Sequence, residues 1–163
     1  MVTPTLAYSI AAAIFALDRL TKWMIETHVS VLDTLVVIPG FFSIVHARNP
    51  GVAFSLFASS PSPWRTFFLV VVALAALVLV GGMLRRAAQL DRKTAVGLSL
   101  ILGGALGNVF DRIRAGEVTD FLDFYVGALH WPAFNVADSA IVVGCGLLLL
   151  EMLRPKKRQP ART

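Results

Sequence analysis

Long apolar runs alternate along this chain with short charged breaks. Two of the runs are unambiguous, because each holds 17 or more uncharged residues and ends in a charged pair. The last apolar run, 139–150, is too short by itself to cross about 30 Å of hydrocarbon, so a crossing helix must start near Phe134. The pattern predicts four transmembrane helices, at about 2–20, 66–84, 94–110 and 134–153.

The segment between the first two runs shows strand rather than helix periodicity. Residues 35–38 and 41–47 are apolar or β-branched stretches on either side of a Pro-Gly turn, which is typical of two short paired strands. Residues 52–57 favour either a third strand or an interfacial segment. The predicted fold is therefore an all-α membrane protein, a single domain over 1–163, with a small extracytoplasmic β-rich element at about 29–60.

Composition supports a membrane protein and excludes several classes. Hydrophobic residues make up 56% of the chain, charged residues 15%, and the mean hydropathy is +0.73. A soluble domain of this length cannot bury that much apolar surface, and a disordered chain would be far more polar. The single cysteine, Cys145, excludes a disulfide framework. Since no Cys/His cluster is present, we expect no metal and no cofactor.

Lysine and arginine predict the orientation of the spans. Of the fifteen basic residues, four lie in the loop 85–93 and five in the tail 154–163. The positive-inside rule then places both termini in the cytoplasm, with the first run as a retained anchor rather than a cleaved signal peptide. The net charge of +5 is explained by this topology and by contact with anionic membrane lipids, so we expect no nucleic-acid partner.

Polar side chains are concentrated between residues 103 and 138, at the ends of the last two spans. Three of them are spaced i, i+3, i+4 and share one helical face, and two more are spaced i, i+3 at the start of the last span. Two aspartates lie on the outer connection that joins these ends. The residues concerned are Asn108, Asp111, Arg112, Asp120, Asp123, Asn135 and Asp138.

Paired carboxylates suggest one particular chemistry. Two carboxyl groups in a restricted site share a proton, so one can activate water while the other polarises a carbonyl group. Helix capping would account equally well for Asp111, and simple solvation for Asp123. Asp138 fits neither explanation, because apolar sequence flanks it on both sides and it has no neighbouring cation. No HExxH motif is present, and His28, His46 and His130 all lie outside the predicted spans, which disfavours zinc or Ser-His catalysis.

Five ordered motifs resemble a known family. The motifs are DRLTK (18–22), RNPGVAF (48–54), GNVFDR (107–112), VTDF (118–121) and FNVAD (134–138). Together they resemble the conserved blocks of bacterial lipoprotein signal peptidase (signal peptidase II). The resemblance implies an aspartic endopeptidase that removes the signal peptide from diacylglyceryl-modified prolipoproteins by cleaving before the lipidated cysteine. It also implies that Asp120 and Asp138 form the catalytic pair.

The resemblance further implies a location and an inhibitor class. The enzyme would be a monomer in the bacterial cytoplasmic (inner) membrane, with its active site near the extracytoplasmic face. Globomycin-type cyclic peptides would inhibit it. Two rival hypotheses from the residues alone are a small proton-coupled transporter component, with Asp138 relaying protons, and a non-catalytic membrane-assembly protein.

Supporting roles are assigned from side-chain chemistry beside the family pattern. The amides of Asn49, Asn108 and Asn135 are suited to orienting the carboxylates or an extended substrate backbone. The guanidinium of Arg112 has a donor fork that can hold substrate or inhibitor carbonyl groups.

Two further acids have open roles. Asp111 is expected to fix the neighbouring Arg112 or a helix end. Asp18 and Lys22, spaced i, i+4, are compatible with an interfacial ion pair or with part of the site. The resemblance places Asp18 in the site.

Overall fold

The computed structural model describes residues 1–31, 33–51 and 63–154. These residues form four α-helices, a short 3₁₀ turn at Ala87–Gln89 and a small antiparallel sheet. The helices are α1 (Pro4–His28), α2 (Pro63–Leu84), α3 (Arg92–Ala115) and α4 (Val136–Met152). The strands are β1 (Thr34–Ile38), β2 (Phe42–Asn49), β3 (Val118–Val126) and β4 (Leu129–His130).

Helix α3 is the centre of the fold, because each of the other three helices packs more extensively against it than against any other helix. Glycines allow this close approach. A Cβ atom at Gly103 would collide with the backbone of α1 at Ala11, and one at Gly104 would collide with the backbone of α4 at Ala137. These glycines therefore serve packing, as small residues usually do between membrane helices.

Two helices of the described chain are long and apolar enough to cross a membrane, at Thr66–Leu84 and Arg92–Ala115. They coincide with the second and third predicted spans. Helix α1 has 25 residues and α4 has 17, or about 37 and 25 Å at the α-helical rise. Four spans stay a prediction.

The sheet has the order β1-β2-β3-β4 with antiparallel neighbours. The hairpin predicted around Pro39 and Gly40 is present as β1 and β2. The predicted boundary of the β-rich element, at about 29–60, is too narrow, because β3 and β4 come from the connection between α3 and α4. Residues 52–57, a candidate third strand, and all but Arg154 of the tail 154–163 lie outside the described residues.

Candidate active site

Asp120 lies on β3, opposite Ala47 of β2 in the strand register. Its side chain is buried, with 2% of the residue exposed. Both carboxylate oxygens accept amide hydrogen bonds: Asn49 donates from Nδ2 to Oδ2 at 2.9 Å, and Asn135 donates from Nδ2 to Oδ1 at 2.7 Å. A strand, its neighbouring strand and a helix end thus fix one carboxyl group.

Asp138 lies in the first turn of α4, where Asn135 is the N-cap residue. The two form a capping box: the Asp138 backbone N–H donates to Asn135 Oδ1 at 2.9 Å, and the Asn135 backbone N–H donates to Asp138 Oδ2 at 3.3 Å. Asn108 of α3 donates from Nδ2 to Asp138 Oδ1 at 2.7 Å. Backbone N–H groups and the positive end of the helix dipole favour a negative charge at this position.

Asn135 is the link between the two acids. It is fully buried, caps the helix that carries Asp138, and donates from its side chain to Asp120. Both predicted carboxyl groups therefore accept hydrogen bonds from one residue, Asn135. Sequence spacing alone could place Asn135 and Asp138 together but gave no geometric link to Asp120.

The two carboxyl groups have different environments. Burial raises the pKa of Asp120 to about 6, and the nearby negative charge of Asp138 acts in the same direction. Hydrogen bonds from Asn49 and Asn135 oppose this rise. Asp138 is only half-buried. The raised pKa suits Asp120 to carry the shared proton of such a pair.

A buried charge cluster lies beside the pair, between α1 and α3. Lys22 is fully buried and pairs with Asp18 at 2.9 Å and with Asp111 at 2.7 Å. Arg19 forms a second ion pair with Asp111. Two acids and two bases make the cluster neutral, which limits the cost of burying each charge. Asp111 thus pairs with α1, whereas the sequence suggested Arg112 or a helix end.

Asp18 reaches further, to the start of α4. Its Oδ1 accepts a hydrogen bond from the backbone N–H of Ala137 at 3.0 Å, so it supports the turn that carries Asp138. A Cβ atom at Gly107 would collide with the Asp18 carboxylate. The glycine of the GNVFDR motif is therefore needed to let this carboxylate fit against α3.

Arg112 points toward the carboxylates from α3. Its Nη1 donates to the backbone oxygen of Asn108 at 3.2 Å, and its charge interacts with Asp138 and Asp120. Its buried Nε has no hydrogen-bond partner within the described part of the chain. Arg112 thus has donor capacity left for a ligand.

Asp123 lies apart from the pair. Since side chains alternate along a strand, residues three apart on β3 point to opposite faces of the sheet. Asp123 instead contacts the Nδ1 atom of His130 at 3.0 Å. The structure therefore places Asp120 and Asp123, the two aspartates of the outer connection, on opposite faces of β3.

The sequence analysis left Lys22 open between an interfacial ion pair and the site, and it did not include Arg19. Both lie in the DRLTK motif, and the i, i+4 spacing of Asp18 and Lys22 was the available signal. What could not be predicted is that Lys22 is fully buried and that it also contacts Asn108, 86 positions away, at 3.0 Å.

Comparison with known proteins gives one consistent family. The family model described as signal peptidase (SPase) II matches residues 10–154. A lipoprotein signal peptidase of Solibacter usitatus is 62% identical over 152 residues, 93% of each chain. Another, of Desulforapulum autotrophicum, is 49% identical over 136 residues, 83% of each chain. A bacterial membrane enzyme solved by the in meso method at 2.3 Å resolution superposes with a TM-score of 0.82 at 30% identity, covering 96% of this chain and 94% of its own.

Proposed function

The chain belongs to the signal peptidase II family of lipoprotein signal peptidases, and from that premise we propose that Asp120 and Asp138 are its catalytic dyad. Members of this family cleave signal peptides from prolipoproteins, so the transporter and assembly hypotheses are set aside. The observation that carries the dyad is the double role of Asn135, which holds Asp120 by its side chain and Asp138 by its capping box.

The dyad performs peptide hydrolysis without a nucleophilic side chain. Ionised Asp138 takes a proton from water as the water oxygen bonds to the scissile carbonyl carbon, and protonated Asp120 gives its proton to the carbonyl oxygen. In the collapse of the tetrahedral diol, the proton on Asp138 passes to the leaving nitrogen. Asp120 recovers a proton from the hydroxyl group as the new carboxyl group forms, so the pair returns to its starting state.

The asparagines and Arg112 have supporting roles in this mechanism. Asn49, Asn108 and Asn135 hold the carboxylates by neutral amide donors, which fixes their orientation. Arg112 supplies unused donors beside the dyad, suited to a substrate carbonyl group or to that of a globomycin-type inhibitor.

The membrane arrangement follows from where the dyad lies along the helices. The C-terminal end of α3, the N-terminal end of α4 and strand β3 meet at the dyad, whereas the basic loop between α2 and α3 lies at the opposite helix ends. We propose four spans with cytoplasmic termini, so that the dyad is near the extracytoplasmic face of the bacterial inner membrane. A diacylglyceryl chain in the outer leaflet would anchor the substrate cysteine at that depth, at roughly 0.8 kcal/mol per buried CH₂.

The test is cleavage of a lipidated precursor by the purified monomeric protein. We expect the diacylglyceryl-modified precursor to be cut before its cysteine, the unlipidated precursor to be cut far more slowly, and Asp120→Asn and Asp138→Asn to be inactive. Asp123→Asn is the matched control, because it makes the same chemical change on the other face of β3. Equal rates for the two precursors would refute selection by the lipid. Activity in Asp120→Asn with loss in Asp123→Asn would refute the dyad.

A further inference from the structure

Lys22 is the most deeply buried cation of the described chain. No part of its side chain is exposed. It lies on α1, far in sequence from the two acids of the dyad. Its Nζ atom has three partners at hydrogen-bond distance: Asp18 Oδ2 at 2.9 Å, Asp111 Oδ2 at 2.7 Å and Asn108 Oδ1 at 3.0 Å. Of these contacts, the one to Asn108 is a hydrogen bond, and the two to the carboxylates are ion pairs.

The contact with Asn108 fixes the direction of an amide. An ammonium group donates and never accepts, so Asn108 must turn its carbonyl oxygen toward Lys22 and its NH₂ group away. The NH₂ group then donates to Asp138 Oδ1 at 2.7 Å. Asn135 favours the same orientation of the Asn108 amide more weakly, because its Nδ2 donates to Asn108 Oδ1 at the longer distance of 3.3 Å.

We propose that Lys22 is a positioning residue for the peptidase reaction: it locks the Asn108 amide so that an N–H group always faces Asp138 and holds that carboxylate in its proton-accepting form. The inference rests on the dyad proposed above. A flipped amide would place its carbonyl oxygen against a carboxylate oxygen. That arrangement is repulsive unless Asp138 carries a proton, and a protonated Asp138 cannot activate water.

Other charges also face the dyad and must be separated from the effect of Lys22. Arg112 faces Asp138 from α3, and Asp120 faces it from β3. Lys22 reaches Asp138 through Asn108. Its ion pairs are with Asp18 and Asp111, and its positive charge also lowers the pKa of Asp120. A purely structural Lys22 would do no more than neutralise these two acids.

A charge-balanced variant separates the two roles. Lys22→Met combined with Asp18→Asn removes one cation and one anion, and Arg19 continues to pair with Asp111. The double variant should fold but lack the Lys22 ammonium donor to Asn108, which leaves only the longer hydrogen bond from Asn135. We expect kcat on the lipidated precursor to fall at least about tenfold with KM within about twofold, because Lys22 is inaccessible to substrate. The acidic limb of the pH–rate profile should move up by about one pH unit, since the proton acceptor loses its enforced donor.

Three matched variants complete the experiment. Asp18→Asn alone keeps the Lys22 donor, so its acidic limb should stay at the wild-type position. Arg19→Gln removes a cation of the same cluster without touching Asn108, and it should also leave the limb in place. Lys22→Arg keeps a cationic donor, so its acidic limb should lie at the wild-type position even if its kcat is reduced.

The outcomes are distinct. A double variant with the wild-type pH profile, or one with reduced kcat and an unmoved acidic limb, would overturn the positioning role. Failure of the double variant to accumulate as folded protein would assign Lys22 to folding and overturn it as well. A wild-type protein without activity on the lipidated precursor would instead refute the proposed function.

Discussion

The unusual protonation of Asp120 predicts a pH dependence of stability that one substitution should remove. The carboxyl group has a pKa of about 6 in the folded protein and the ordinary value of 3.8 when unfolded. Below pH 3.8 both states hold the proton, and the group has no effect. Between pH 4 and 6 the folded state holds more protons than the unfolded state, so the free energy of unfolding falls as the pH rises.

The size of this effect follows from the shift itself. A difference of about two pKa units, at 1.36 kcal/mol per unit, corresponds to a loss of about 3 kcal/mol of stability above pH 6. For a protein of this length that is a fall of roughly 6–12 °C in the unfolding midpoint. In return, the buried acid keeps its proton up to about pH 6, where an exposed acid is ionised.

Thermal unfolding of the purified protein in detergent between pH 4 and 8 would measure it. The wild type should lose midpoint temperature from pH 4 to 6, and Asp120→Asn should lack that fall. The absolute stability of the variant is not the readout, because an Asn side chain replaces one acceptor by a donor opposite Asn49 or Asn135. Asp123→Asn should keep the wild-type fall. Parallel curves for the wild type and Asp120→Asn would refute a proton held by burial at this position.

Three shorter predictions concern the neighbours of the dyad and the topology. Asn135→Ser keeps an N-cap oxygen but loses the donor to Asp120, so the basic limb of its pH–rate profile should move to higher pH. Asn135→Ala should in addition lose about 1 kcal/mol of stability, measured by unfolding, because the N-cap oxygen is lost as well. Gly107→Ala should lower both the unfolding midpoint and activity by displacing Asp18, whereas Gly81→Ala, with open space around its Cβ position, should do neither. Cysteines introduced at Ala128 and Gln89 should be labelled from opposite sides of the membrane, and labelling from one side would contradict the proposed spans.

Apolar periodicity predicted the parts of the fold that depend on local sequence. The second and third spans and the β1–β2 hairpin are present near their predicted positions. Strand β3 was missed because its aspartates interrupt the apolar alternation and because its partner, β2, lies about 70 positions earlier in the chain. Pairing over that separation leaves no signal in a single sequence.

The motifs predicted which residues gather at the site but not how they connect. Asp120, Asp138 and the three asparagines lie together in the structure, and their catalytic roles stay a proposal. The partners of Asp111 were not predictable, because they lie on α1, about 90 positions away, and depend on the close approach that Gly107 permits. Spacing along one helix shows which residues share a face, whereas contacts between helices depend on packing that a single sequence does not specify.

The position of neutral amides between the buried cation and the dyad has a chemical reason. If Lys22 contacted Asp138 directly, its charge would strongly favour ionisation of both acids, and a dyad without a shared proton could not protonate the substrate carbonyl. Instead Lys22 is matched by Asp18 and Asp111 and hydrogen-bonds to Asn108, and burial outweighs the lowering effect of its charge on the pKa of Asp120. The neutral Asn108 amide directs a hydrogen-bond donor at Asp138 without placing a full positive charge next to it. In the proposed mechanism Asp138 is thereby oriented as the proton acceptor, and Asp120, on a separate strand, carries the proton.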